Sequence, residues 1–244
     1  MSEKRDPINN SATGQANACF DFVSSFSHDV KSPISAIKLF TDIMQSDLDS
    51  IDTATQQKYL SIIKARADDL NFLLSNAQDY HKIQLQKMEW REEKHNLYQL
   101  IRKASFPAQV SCQTKNIEFN FDYNIENLIL MIDGDRFCQI IYNLLAYILN
   151  HIEKGQIYVT LFASKTSPDL TLTISSRLNE KGIAKLKTLA QPNHLTDKLE
   201  VCKLIDTMLY VAKHLITHYQ GKTHIETSPH NETQFKLTFS LPRC

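Results

Sequence analysis

Glycine is scarce in this chain: there are five in 244 residues. Loops that cradle phosphate groups need the backbone freedom of glycine to bring N–H groups close, so the chain has little material for one. Neither sign of charge is in excess. Lys+Arg and Asp+Glu both number 27, the formal net charge is zero, and the electrostatic case for nucleic acid or an anionic membrane as partner falls away. The five cysteines, Cys19, Cys112, Cys138, Cys202 and Cys244, are scattered without metal-ligand spacing, which reads as reduced thiols of a cytoplasmic protein. No secretory signal opens the chain. The best apolar run, Ile140 to Leu149, is too short to cross a bilayer and contains Asn143. What is present is enough apolar material for a real core, at 42% hydrophobic residues.

The polar first stretch, 1–15, reads as a flexible leader. Beyond it Val23, Phe26, Val30, Ile34, Ile37, Phe40 and Met44 recur at helical steps. After a polar turn, Leu60, Ile63, Ala67, Leu70, Leu74 and Ala77 repeat the pattern. Two long helices with narrow apolar seams make a hairpin that buries each seam poorly alone, so two copies pairing as a four-helix bundle is the natural solution. Residues 16–88 form this region. Residues 89–244 change character, with helices expected from His95 to about Ser105, Gly134 to His151 and Asp197 to Tyr219. Strands are expected at Ile117 to Phe121, Leu128 to Ile132, Gln156 to Ala163 and Leu170 to Ser175, closed by a hairpin at Thr223 to Thr227 and Phe235 to Ser240. The fold class is therefore α+β: a helical hairpin followed by an α/β sandwich.

The segment with chemistry in it is Phe26-Ser27-His28-Asp29-Val30-Lys31-Ser32-Pro33. At about 100° per residue, His28 lies some 200° from the seam positions Phe26 and Val30, so it points to solvent. A neutral imidazole nitrogen is a nucleophile, and phosphorylating it requires access and a group to hold its proton. Asp29 is adjacent, Ser32 lies one turn on along the same face, and Pro33 removes a helical donor just after the site. An exposed histidine alone is an ordinary surface residue; the proline inside a long helix beside it sets this one apart. His214 and His218, four apart and near His224, have no acidic or cysteine ligand fixed with them and read as boundary histidines, not a metal site. Trp90 reads as core.

Ser27-His-Asp-Val-Lys-Ser-Pro-Ile-Ser-Ala-Ile37 resembles the phosphoacceptor box of the sensor histidine kinases. The resemblance continues through Asp133-Gly-Asp-Arg136 with Gln139-Ile-Ile-Tyr-Asn-Leu-Leu145, similar to the Asn-containing helix of their ATP-binding domain. It extends to Leu209–Leu215, Gln220-Gly-Lys222 and Phe235–Pro242, similar to that domain's end. It implies a homodimeric bundle with His28 as phosphoacceptor. Asp29 would then be the acid assisting transfer, and Ser32 the hydroxyl that positions or assists dephosphorylation of a partner receiver domain.

The departures from that pattern fall on the nucleotide site. Tyr147 stands where the kinases place a Mg²⁺-binding Asn, four residues after Asn143. Leu178, Glu180 and Gly182 stand for their Asp-x-Gly-x-Gly segment. Leu204–Leu209, with Asp206 and no glycine, stands for the second glycine turn. Asp206 would set negative charge where triphosphate belongs, and no metal ligand offsets the γ-phosphate. This combination is similar to bacterial histidine phosphotransferases built like degenerate kinases. It implies that no cofactor is held stably and that Mg²⁺ comes with a response-regulator receiver domain as partner; an upstream histidine kinase is a further possible donor. Lys31, Pro33 and Lys38 would face that receiver, or the two lysines form a solvated helix face. Two other functions stay open: an atypical kinase that phosphorylates His28 from ATP, and a non-catalytic pseudokinase scaffold.

Overall fold

A computed structural model describes residues 8–46, 51–152, 154–163, 169–190, 204–227 and 232–240. The chain divides into two compact units, residues 1–85 with 200–207 and residues 86–199 with 208–244.

The first unit is a pair of long helices, α1 (Ile8–Ser46) and α2 (Thr53–Gln84). α1 runs through Pro33 without a break, and it reaches back to Ile8, into the stretch expected to be a leader. α2 starts at a cap: Asp52 accepts from the Thr55 backbone N–H at 2.8 Å and from the Thr55 hydroxyl at 2.8 Å, satisfying a donor that the first helical turn leaves open. The helices meet through side chains such as Phe40 and Tyr59, whose ring centroids lie 5.2 Å apart. Even so, Ile34, Leu39, Leu60 and Leu74 remain exposed.

The second unit holds β1 (Glu93–Asn96), α3 (Leu97–Thr114), β2 (Glu118–Tyr123), β3 (Ile129–Ile132), α4 (Gly134–His151), β4 (Gln156–Ala163) and β5 (Asp169–Arg177). After these come α5 (Glu180–Ala190), α6 (Leu204–His218, whose residues 204–207 group with the first unit), β6 (Lys222–Thr227) and β7 (Glu232–Ser240). β1 and β3 make a small antiparallel pair, and the main sheet runs in the order β2-β4-β5-β7-β6. Only β2 and β4 are parallel there, with Glu118 opposite Gln156; the remaining pairs are antiparallel. Alternation decides which face is inside. Ile157, Val159, Leu161 and Ala163 on β4 and Leu170, Leu172 and Ile174 on β5 are buried, while Tyr158 and Phe162 are exposed. α4 carries the densest part of the core, with Phe137, Ile140, Ile141, Leu144, Leu145 and Ile148 buried. Each such side chain contributes roughly 1.5–3 kcal/mol.

Several elements differ from expectation. α3 continues past Ser105 to Thr114 and takes Pro107 inside it, because Ala104, Ala108 and Cys112 keep one buried face at four-residue steps. β1 has no apolar alternation and is a strand only through its pairing with β3. α5 was not anticipated. α6 begins at Leu204, and residues 197–203, expected to be part of this helix, lie outside the described residues. Trp90 is half-buried rather than core.

Candidate functional site

His28 is exposed on α1. Its side chain is 87% exposed, and its Nδ1 lies 3.3 Å from Asp29 Oδ1. A carboxylate next to Nδ1 favours the tautomer that carries hydrogen on Nδ1, which leaves the lone pair on Nε2 facing outward. The helix places the rest. Phe26 and Val30 are half-buried on the other side, Lys31, Ser32 and Lys38 are exposed, and Pro33 is buried. Pro33 lacks the N–H that the helix would donate to the Asp29 carbonyl, and its ring is buried. The chemistry available on this face is that of an accessible imidazole nucleophile with its proton held by a neighbouring carboxylate.

Of the residues that the sequence resemblance sets at the kinases' nucleotide positions, Asn143 and Tyr147 lie on α4 and Gly182 on α5. The Tyr147 hydroxyl donates to the Gly182 carbonyl on α5 at 3.0 Å, and Tyr147 is fully buried. His151, one turn further along the same helix face, stacks on Tyr147 with ring centroids 4.3 Å apart, and its Nδ1 lies 2.9 Å from the Tyr147 carbonyl. A Cβ added to Gly182 would come within 2.7 Å of His151 Cβ, so glycine is required there by close approach of the helices. The Gly182 N–H donates to Asn179 Oδ1 at 2.9 Å, a cap for α5. Asn143 is buried and donates through Nδ2 to the Met208 carbonyl on α6 at 3.0 Å. Leu178 is buried at the end of β5. Asp206 lies in the first turn of α6, and its side chain is outside the described residues. Sequence reasoning missed His151, although its four-residue spacing from Tyr147 was a visible signal. Among the described residues, no group of three or more His, Cys, Asp or Glu is placed to hold a metal ion, and no helix is long and apolar enough to cross a membrane.

Residues 20–86 match the His Kinase A (phospho-acceptor) domain. The sensor protein GacS of Pseudomonas syringae pv. syringae is 24% identical over 231 residues, 92% of this chain and 25% of that protein. Hybrid signal transduction histidine kinase C of Dictyostelium discoideum is 29% identical over 146 residues, 59% of this chain and 12% of that one. The chain thus spans a quarter or less of these relatives' length. Among solved structures, the histidine kinase AdeS of Acinetobacter baumannii superimposes with a TM-score of 0.54 at 12% identity, over 88% of this chain and 98% of that one, a likeness of fold. Residues 20–86 thus match a histidine-kinase phospho-acceptor domain, and the chain, a helical hairpin followed by an α/β domain with a mixed sheet, is similar in sequence and fold to two-component histidine kinases.

Proposed function

We propose that this protein is a histidine phosphotransferase of a phosphorelay, exchanging phosphoryl between His28 and the aspartate of a response-regulator receiver domain without using ATP itself. Nε2 of His28 attacks the phosphorus of the receiver's aspartyl phosphate. The P–N bond forms, the P–O bond breaks, and the receiver's carboxylate leaves. The Nδ1 proton stays on the imidazole, held by Asp29, so the phosphohistidine forms without a separate proton acceptor. Ser32, exposed one turn on, positions the incoming group, and the exposed Lys31 and Lys38 line the approach for an acidic receiver surface; Pro33, expected to share that role, is buried and does not face it. Mg²⁺ enters with the receiver, where it offsets the charge of the transferring phosphoryl group. The exposed Ile34, Leu39, Leu60 and Leu74 suit pairing of two hairpins in a homodimeric four-helix bundle.

The observation that carries the choice of phosphotransferase over kinase is the contact between Tyr147 and Gly182. Gly182, one of the few glycines standing where the family needs them, has its carbonyl taken by the Tyr147 hydroxyl and its α-carbon covered by His151. Asn143 donates through Nδ2 to the Met208 carbonyl. The Tyr147–Gly182 contact does not fit a bound nucleotide, and no step of the proposed reaction passes through ATP. One observation favours the other reading, an atypical kinase: the carboxylate beside His28, which would also assist transfer from ATP.

Incubation with Mg²⁺ and γ-labelled ATP, alongside His28→Ala, separates the two. The expected result is no label on either protein, followed by acid-labile label on the wild type only when a phosphorylated receiver is the donor. Acid-labile label from ATP on the wild type would establish the kinase reading instead. No transfer from any phosphorylated receiver, with receiver binding intact, would leave the scaffold.

A further inference from the structure

The main sheet ends on β2, and among the described residues no strand lies on its outer side. The Glu118 N–H donates to the Gly155 carbonyl at 3.0 Å and the Asn124 N–H to the Leu161 carbonyl at 3.2 Å. Alternate residues of a parallel strand face the same neighbour. Glu118, Asn120 and Asp122 therefore bond to β4, while Phe119, Phe121 and Tyr123 direct their N–H and C=O groups outward. Half-buried rings lie beside this edge: Phe121 and Tyr123 pack around Tyr98, with centroids 5.8 and 4.5 Å from it. An open strand edge lined with rings is a template for another strand.

Two side chains close the far end of that edge. Asp122 Oδ1 accepts from the Tyr123 N–H at 2.8 Å and so occupies the last outward donor of β2. Asn124 Oδ1 accepts from the Ala163 N–H at 3.0 Å, and its Nδ2 donates to the Ala163 carbonyl at 3.2 Å. One side chain thereby takes up both groups that β4 presents beyond the end of β2. What stays open is Phe119 and Phe121. At the near end the Ile117 N–H is already given to the Cys112 carbonyl. The antiparallel register that pairs both open residues of one copy with open residues of another sets Phe119 against Phe121. It also sets Glu118 against Asp122 twice, at the non-hydrogen-bonded positions where side chains lie closest and like charges repel. Both carboxylates are exposed, and Gln156 Nε2 holds Glu118 in place through its Oε2 at 2.5 Å. We infer that Asp122, together with Glu118, is a blocking device that keeps the sheet edge of one copy from pairing with the sheet edge of a second copy. Asp122 acts twice, by its charge and by taking the Tyr123 N–H that the next rung of such a ladder needs.

Sedimentation velocity on the full chain, with residue-resolved amide hydrogen exchange on the same samples, tests this. Glu118→Thr combined with Asp122→Val removes both charges and the cap and leaves residues that suit a strand. This variant should associate beyond the wild-type size with a constant raised at least about tenfold. Exchange at the Phe119 and Phe121 amides should slow in the associated species, while Ile141 and Leu144 in α4 keep their protection and report that the unit is folded. Glu118→Gln combined with Asp122→Asn keeps the hydrogen-bonding groups and removes only the charges. It should associate more than the wild type and less than the first variant, and it decides alone if the first loses its α4 protection. Wild-type size in every folded variant would overturn the inference, as would association that leaves the Phe119 and Phe121 amides unprotected. Slow exchange at those two amides in the wild type would overturn it as well.

Discussion

The hydroxyl of Tyr147 on α4 donates to the carbonyl of Gly182 on α5 at 3.0 Å, so a buried phenol ties together two positions at which a nucleotide-using relative would need an amide ligand and an open backbone. Tyr147→Phe keeps the ring stack on His151 and removes only this donor. It should lower the unfolding free energy of the second unit by about 1 kcal/mol, read from urea titration of the wild type and variant. An unchanged midpoint would show that the hydroxyl does not secure α5.

His28→Ala should be nearly silent in stability and decisive in chemistry. The side chain is 87% exposed, and substitutions at such positions change stability by less than about 0.5 kcal/mol. Thermal unfolding should be unchanged while phosphoryl acceptance disappears. A large loss of stability would mean the imidazole has a packing role that its exposure does not reveal.

The cap of α2 makes the hairpin sensitive to acid. Hydrogen bonds from the Thr55 backbone and hydroxyl hold the Asp52 carboxyl below its ordinary range. A folded-state pKa below the unfolded one adds stability above the unfolded value, and that stability is lost as the pH falls through the folded one. The helical signal of the hairpin should therefore become easier to melt with heat as the pH drops from 5 toward 2. Asp52→Asn, which still caps but does not titrate, should show a shallower slope attributable to this group.

Alkaline solution should act on the second unit through Tyr219. Burial is the main cause pushing its phenol well above the usual tyrosine range, opposed by the hydrogen bond from the Asp133 backbone. Here the folded pKa is raised, so stability is fully present below the unfolded value near 10 and declines as the pH rises past it toward the folded value. Denaturant midpoints taken between pH 9 and 11 should fall for the wild type and fall less for Tyr219→Phe.

The elements that were legible from sequence are those with one uninterrupted pattern. α4 spans Gly134–His151 and β4 spans Gln156–Ala163, where expected, because a cap residue, Asp133, and an unbroken apolar period mark the first and strict alternation marks the second. α5 is hidden in the sequence because Glu180 and Gly182 resemble remnants of a nucleotide loop, although Ile183 and Leu186 stand at a helical step. β1 escaped because Glu93–Asn96 carries no apolar signal; its backbone pairing with Ile129–Ile132 makes it a strand. Gly182 could be named from sequence as a family position, but its real constraint, the approach of His151, could not.

By itself the sequence determined which face of α1 carries His28. Helical periodicity is local, and once Phe26 and Val30 turn inward, His28 must turn outward with Asp29 beside it and Ser32 one turn away. Tertiary structure alone decided how the second unit closes, because that depends on residues far apart in the chain meeting at close range. Tyr147 reaches Gly182, Asn143 reaches Met208, and Trp90 lies on His218. No local period encodes these contacts: each is set by the way α4, α5 and α6 pack, and helix packing is decided by the sum of many side-chain volumes and not by any one stretch of sequence.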